Sequence, residues 1–143
     1  MNKFLFYASA RQFGEACLEL YICTRPREGK EYVYLVRRPH DDPFYPSMLH
    51  MPGVRKIPTE TDLGHLSRAI LETPFRISPE KVEYVLSSTF KARRGVVYSD
   101  VRRVVLPYEP FRYRFEDFYY VGSLPENIIE YHKAIIEMVR HHV

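Results

Sequence analysis

Residues 15–23 (EACLELYIC) alternate small or apolar with polar positions and then turn mostly apolar, as a strand entering a core does. Residues 24–30 (TRPREGK) carry turn chemistry. Residues 32–36 (YVYLV), bounded by Arg37-Arg38-Pro39, predict a second strand that pairs with the first as a hairpin. Prolines at 39, 43, 46, 52 and 58 exclude a helix and leave an ordered loop over 40–58, with at most a short strand around 48–51. From Thr61 the period changes: Leu63, Leu66, Ala69, Ile70 and Thr73 recur at three-to-four spacing until Pro74, predicting a helix of about 13 residues. Thr61 is placed to cap it, and Asp62 suits the positive end of its dipole. Residues 82–92, 95–106 and 114–121 read as three extended segments. Pro125 then opens a closing helix with Ile128, Ile129, His132, Ile135, Ile136 and Val139 on one face. Strands, helix, strands, helix, without regular alternation, predict an α+β fold with a mixed or mostly antiparallel sheet.

Composition narrows this to one domain over residues 1–143: 45% hydrophobic and 15% aromatic content suffices for one core, and 12 Tyr with 9 Phe argue against disorder. The longest apolar runs, such as 104–106, span a few residues against the roughly 20 of a membrane helix, so no membrane association is expected. Lys3, the apolar stretch 4–8 and Ala8-Ser9-Ala10 imitate a secretion signal, but five apolar residues fall short of the roughly 7–15 required. Cys17 and Cys23 lie six apart in one extended segment, on one face and roughly 20 Å apart, beyond disulfide reach. Separated thiols predict a reducing, cytoplasmic setting, and no Cys/His spacing suggests zinc. The closing helix adds His132, His141 and His142, the last two at a fraying end unsuited to holding a metal.

The segment His50-Met51-Pro52-Gly53-Val54, followed by Glu60, Arg68, Ile70 and Glu72, resembles the Nudix box. That signature reads Gly, five residues, Glu, seven residues, then Arg-Glu-hydrophobic-x-Glu-Glu-x-Gly-hydrophobic. The match spans 33–77, and the element order is similar over nearly the whole chain. The resemblance implies a Nudix-like mixed β-sheet flanked by a box helix and a C-terminal amphipathic helix. It also implies diphosphate hydrolysis with Mg²⁺ held by Glu72 and the Gly53 carbonyl, and structural roles for Glu60 and Arg68. This chain departs from the pattern with Val54, Ala69, Thr73 and Phe75, at positions where the family has Gly, Glu, Glu and Gly. Of three carboxylates that share one helix face at i, i+3 and i+4, only Glu72 remains.

A lone carboxylate holds hydrated Mg²⁺ weakly unless substrate phosphates supply most ligands. His65 is seven residues from Glu72, about 10.5 Å of rise and too far to share a metal. Asp100, Glu109, Glu116 and Asp117 are candidates for an outside ligand. Arg68 and Glu72 could also form a plain i, i+4 surface pair. The pairs Arg37-Arg38, Arg55-Lys56 and Arg93-Arg94 would lie around the box face, where guanidinium forks bind phosphate without metal. From Lys91 to Arg114, seven basic residues face Asp100 and Glu109 in a chain of net charge +3. They interleave with Phe90, Tyr98, Tyr108, Phe111 and Tyr113, a composition that suits stacking on bases and equally a solvated strand with aromatics turned inward. No Gly-rich phosphate loop or strained nucleophile turn appears. The expected role is binding of a nucleotide, another phosphorylated small molecule or single-stranded RNA, with hydrolysis lost or strongly reduced. The alternatives are an active Mg²⁺-dependent Nudix hydrolase of a nucleoside diphosphate linked to another moiety, and a non-catalytic module for protein interaction or for dimerisation as a homodimer.

Overall fold

The computed structural model describes residues 14–109 and 114–141. The leader-like stretch 4–10, Phe111, Tyr113 and His142 lie outside the described residues.

Strand β1 (Glu15–Arg27) is the spine of the molecule. It runs parallel to β7 (Gly95–Leu106) from Glu15 opposite Val97 to Thr24 opposite Leu106. Its other edge is shared: β5 (Gly53–Arg55) pairs antiparallel with its first half and β2 (Lys30–Tyr34) with its second. Strand β6 (Glu83–Ala92) closes one side against β7, and β8 (Phe118–Tyr120) closes the other against β2. Two short strands, β3 (Val36–Arg37) and β4 (Leu49–His50), form a separate pair.

Because β1 is central it is buried on both faces, which is why its alternation gives way to an apolar run. Leu18, Leu20 and Ile22 pack with Val54, Leu66, Ala69, Ile70 and Val104 under helix α1 (Asp62–Leu71). On the opposite face Cys17, Tyr21 and Cys23 pack with Val97, Val101 and Ile135, Ile136 and Val139 of helix α2 (Glu130–Arg140). The two thiols are free and share that face, as their spacing predicts. The fold is thus α+β, a mixed sheet between two helices. No helix among the described residues is long and apolar enough to cross a membrane.

Several element boundaries differ from expectation for identifiable reasons. Helix α1 is capped as predicted, with the Gly64 amide donating to Thr61 Oγ1 at 3.0 Å, but it ends at Leu71. There Thr73 Oγ1 donates to the Ile70 carbonyl at 2.8 Å, and Thr73 itself precedes Pro74, a position that disfavours helical backbone. Helix α2 begins at Glu130, not near Pro125, because tertiary pairing claims the preceding backbone. Leu49 N–H donates to Asn127 O at 2.8 Å, and Ile129 N–H donates to Leu49 O at 2.9 Å. The segment expected as a strand over 114–121 contains a 3₁₀ turn at Phe115–Asp117, and only Phe118–Tyr120 pair with β2. Strand β1 runs four residues further than expected, through Pro26, with a register slip between Thr24 and Arg27. The hairpin then closes at Gly29, whose φ of 75° needs a residue without a side chain.

Candidate functional site

The loop that carries the box-like residues is clamped onto β1. Leu20 N–H donates to Pro52 O at 2.8 Å, and Lys56 N–H donates to Ala16 O at 2.7 Å. Gly53 permits this approach, since a Cβ there would lie 2.5 Å from both Glu19 Oε2 and the Leu18 carbonyl. The clamp leaves a cleft of about 250 Å³. One wall is the first turns of β1, with Glu15, Cys17 and Glu19; another is the loop from His50 to Arg55; Glu72 stands at the end of α1. Arg38, Arg94 from the turn between β6 and β7, and Tyr131 and His132 from α2 complete it.

The floor is an ion pair between Glu15 and Arg94, which are 6% and 7% exposed. Arg94 Nη2 also donates to the Tyr131 hydroxyl at 3.2 Å. Glu15 Oε1 makes that ion pair with Nη2, and Arg94 Nε has no hydrogen-bond partner among the described residues. Burial pushes the Cys17 thiol and the Tyr131 hydroxyl far above their ordinary range, so both stay protonated.

Glu19, one turn of the pleat further along the same face, has its carboxyl pushed up to about 8. Burial is the main cause; Arg94 and Arg38 oppose it and Glu15 adds to it. At neutral pH Glu19 is therefore largely protonated. His132 Nδ1 accepts from Met51 N–H at 2.8 Å, which places the ring proton on Nε2. Burial, with His50 and the arginines behind it, holds that ring neutral. Its Nε2 lies 3.7 Å from Glu19 Oε2, and with one group neutral and the other protonated this contact is not an ion pair. His50 Nδ1 donates to Met51 O at 2.7 Å, and burial lowers the ring's pKa to about 4.

The sequence-derived candidates separate into two groups. Gly53, Glu72, Arg38, Arg55 and Arg94 line the cleft. Arg37 instead donates to Ser47 O at 2.7 Å, and Lys56 pairs with Asp100 at 2.7 Å. Arg93 pairs with Glu130 and lies over the Tyr45 ring. The twin arginines occupy a two-residue turn between Ala92 and Gly95, so their side chains leave in different directions. Arg68 does not pair with Glu72 as a simple i, i+4 contact. Its Nε and Nη2 grip Glu60 at 2.9–3.3 Å, and Nη2 also donates to Arg55 O at 2.7 Å, which ties α1 to β5. That grip lowers the Glu60 carboxyl below its usual range.

Of the outside carboxylates expected from sequence, Asp100 is held by Lys56 and Arg102, while Glu116 and Asp117 pair with Arg114. None of these, nor Glu109, lines the cleft. The carboxylates outside the box that do reach it are Glu15 and Glu19, which the sequence analysis does not single out. Their i, i+4 placement with Cys17 between them, on one face of a strand bound for the core, was the available signal. Phe90, for which base stacking and inward packing were both open, is partly buried against the core with its ring centroid 5.9 Å from that of Tyr131.

The box resemblance implies Mg²⁺ held by Glu72 and the Gly53 carbonyl, and both do share the cleft. Among the described residues, however, no group of three His, Cys, Asp or Glu side chains is placed to hold a metal ion. Glu15 is paired with Arg94, whose buried guanidinium adds positive charge beside Glu19. Ala69 is fully buried in the apolar cluster under α1, and the Thr73 hydroxyl is turned onto the Ile70 carbonyl. This donor set does not fit a divalent cation, which needs six oxygens and carboxylates free to supply charge.

No protein-family model and no curated protein sequence matches the chain. Solved structures do. NrtR from Shewanella oneidensis superposes with a TM-score of 0.67 at 17% identity, over 88% of this chain and 62% of that one, so the chain spans about three fifths of NrtR. The separate Nudix domain of NrtR, crystallised with ADP ribose, gives a TM-score of 0.61 at 16% identity over 98% and 97% of the two chains. A bifunctional NMN adenylyltransferase/ADP ribose pyrophosphatase from Francisella tularensis, crystallised with AMP and a Mn ion, gives 0.60 at 16% identity over 90% of this chain and 42% of that one. Likeness of this kind over most of the chain identifies the architecture: the chain has the Nudix fold.

Proposed function

We propose that the cleft binds a nucleoside diphosphate derivative of the ADP-ribose kind and that diphosphate hydrolysis is lost or strongly reduced. The observation that carries this reading is the charge of the cleft. Arg38, Arg55 and Arg94 face it against Glu72, Glu15 is already paired with Arg94, and burial raises the Glu19 carboxyl towards its neutral form. Guanidinium forks match phosphate oxygens in pairs, which makes such a site selective for phosphoryl groups over other anions. Arg38 Nε has no hydrogen-bond partner among the described residues, and its nearest carboxylate, Asp42, stands 3.9 Å away. At about 250 Å³ the cleft is below the roughly 300–1,000 Å³ of sites that engulf a drug-sized ligand, so part of a nucleotide would extend from it. Two proteins of the same fold support the ligand class through the ADP ribose and AMP bound in their crystals.

Calorimetric titration with ADP-ribose, AMP and inorganic pyrophosphate tests the binding, and Arg38→Gln should weaken it at least about tenfold, the loss of one charge-assisted contact. Phosphate release with Mg²⁺ and Mn²⁺ tests the second half. Turnover near the usual enzyme median of about 10 s⁻¹, abolished by Glu72→Gln, would overturn the loss of hydrolysis.

A further inference from the structure

The cleft keeps a buried carboxylate and a buried guanidinium where the donor set does not fit a metal ion. We propose that Arg94, clamped by Glu15, is this chain's fixed replacement for a divalent cation, so that the cleft takes its phosphorylated ligand without metal. The inference rests on the reading of the cleft as a phosphate site and adds how that site is charged.

Several features fix the guanidinium in place. Its backbone sits in a two-residue turn whose flanks, Ala92 and Gly95, pair with each other. The preceding residue is anchored outside the cleft, with Arg93 N–H donating to the Tyr45 hydroxyl at 2.8 Å and Arg93 Nη1 donating to Phe44 O at 3.0 Å. Nη2 of the Arg94 head group then meets both the Glu15 carboxylate and the Tyr131 hydroxyl. An arginine does not deprotonate in a protein, so this charge is permanent.

Packing alone does not account for the pair. A buried ion pair is commonly no more stable than an apolar pair of similar volume, because its Coulomb attraction is offset by desolvation of both charges. Here Glu15 Oε1 meets Arg94 Nη2, while Arg94 Nε has no hydrogen-bond partner among the described residues, which adds to the cost of the arrangement. Such a construction is consistent with selection for charge at the floor of the cleft. Glu15 orients and partly neutralises the guanidinium, as ligating carboxylates orient and partly neutralise a metal. A divalent cation entering the cleft would meet Arg94 at close range, and the phosphate oxygens that would bridge to a metal are served by N–H donors instead.

The test is titration of the intact chain with ADP-ribose in EDTA and again in excess Mg²⁺ or Mn²⁺. The expected result is the same Kd within about twofold under all conditions. Arg94→Lys, which keeps the charge and loses the fork, should weaken binding at least about tenfold. The double change Glu15→Gln with Arg94→Gln, which removes the cation without stranding a buried charge, should do so more strongly, and Mg²⁺ should not restore it. Thermal melts of each variant check folding. If a variant does not fold, the EDTA and Mg²⁺ titrations of the unaltered chain decide alone. Binding that requires the divalent ion, or binding in EDTA that both Arg94 variants leave intact, overturns this inference and leaves the cleft as a phosphate site. No binding of ADP-ribose, AMP or pyrophosphate under any condition overturns the phosphate-site reading itself, and this inference with it.

Discussion

Two carboxylate–guanidinium pairs brace the cleft, and they are built in opposite ways. Glu60 and Arg68 do not line the cleft; they meet beside it, with side chains 26% and 33% exposed, where Arg68 holds the lining residue Arg55, and this outer edge is taken as its mouth. Three N–H···O contacts join them, and Arg68 spends a further donor on the Arg55 carbonyl. Glu15 and Arg94 meet at the floor, both buried, through Oε1 and Nη2, while Arg94 Nε has no hydrogen-bond partner among the described residues. The first is a clip between a loop and a helix, screened by solvent and individually weak. The second has given up the hydration of two ions, and only its partner keeps each of them tolerable.

The largest effect that separates them is therefore removal of one partner. Arg94→Ala leaves Glu15 as an uncompensated buried carboxylate and should destabilise the protein by about 3–5 kcal/mol in chemical denaturation. Replacing both residues by apolar ones, Glu15→Leu with Arg94→Met, should recover most of that loss while ADP-ribose binding stays absent. If the single change costs no more than a surface substitution, the floor pair is as weakly coupled as the mouth pair and the contrast is void.

The next effect is a pH dependence confined to the floor. Glu19 has a folded-state pKa of about 8 against an ordinary value of 4.5, so between these values the folded state holds a proton that the unfolded chain has lost. Stability from this group is full below about pH 4.5 and falls as pH rises towards 8. His50 has the opposite sign. Its folded pKa of about 4 lies below 6.5, so its contribution is present above 6.5 and is lost as pH falls towards 4; His132 acts in the same direction. Glu19→Gln imitates the protonated acid and should flatten the alkaline side only. Melting curves from pH 5 to 8 should show a gain at pH 8 on the order of 1 kcal/mol or more, shrinking towards pH 5. A gain that is uniform with pH would mean that Glu19 is ionised in the folded protein.

How far these two regions were legible in the sequence follows the same division. The mouth rests on local signals: the prolines of the loop, Gly53 beside them, Thr61 as a cap, and Glu60 and Arg68 eight residues apart at the box spacing. The floor rests on contacts across the chain. Glu15 and Glu19 are buried because α2 covers that end of β1, and a polar-alternating strand start gives no sign of a helix arriving from more than a hundred residues away. The end of α1 and the start of α2 were misplaced for a related reason: Thr73 before Pro74, and the bridge from Ile128 to Leu49, outweigh helical periodicity locally. The twin arginines 93 and 94 were visible as charge, but only the two-residue turn decides which of them faces the cleft.

The smallest expected effect concerns the mouth. Arg68→Gln removes three contacts to Glu60 and the bond to the Arg55 carbonyl, yet water reaches both ends of the pair and can hydrate the groups released. The thermal midpoint should fall slightly, far less than for Arg94→Ala, and the difference should shrink further in high salt because the lost pair is already screened there. Affinity for ADP-ribose should change little, since β5 keeps its own backbone hold on β1 through Pro52 O and Lys56 N–H. The decisive measurement is the pair of titrations, Arg68→Gln beside Arg94→Lys, under one set of conditions. Should the mouth variant lose as much affinity as the floor variant, the position of β5 depends on the clip, and Arg55 with its neighbours, not the buried guanidinium, would be what organises the cleft.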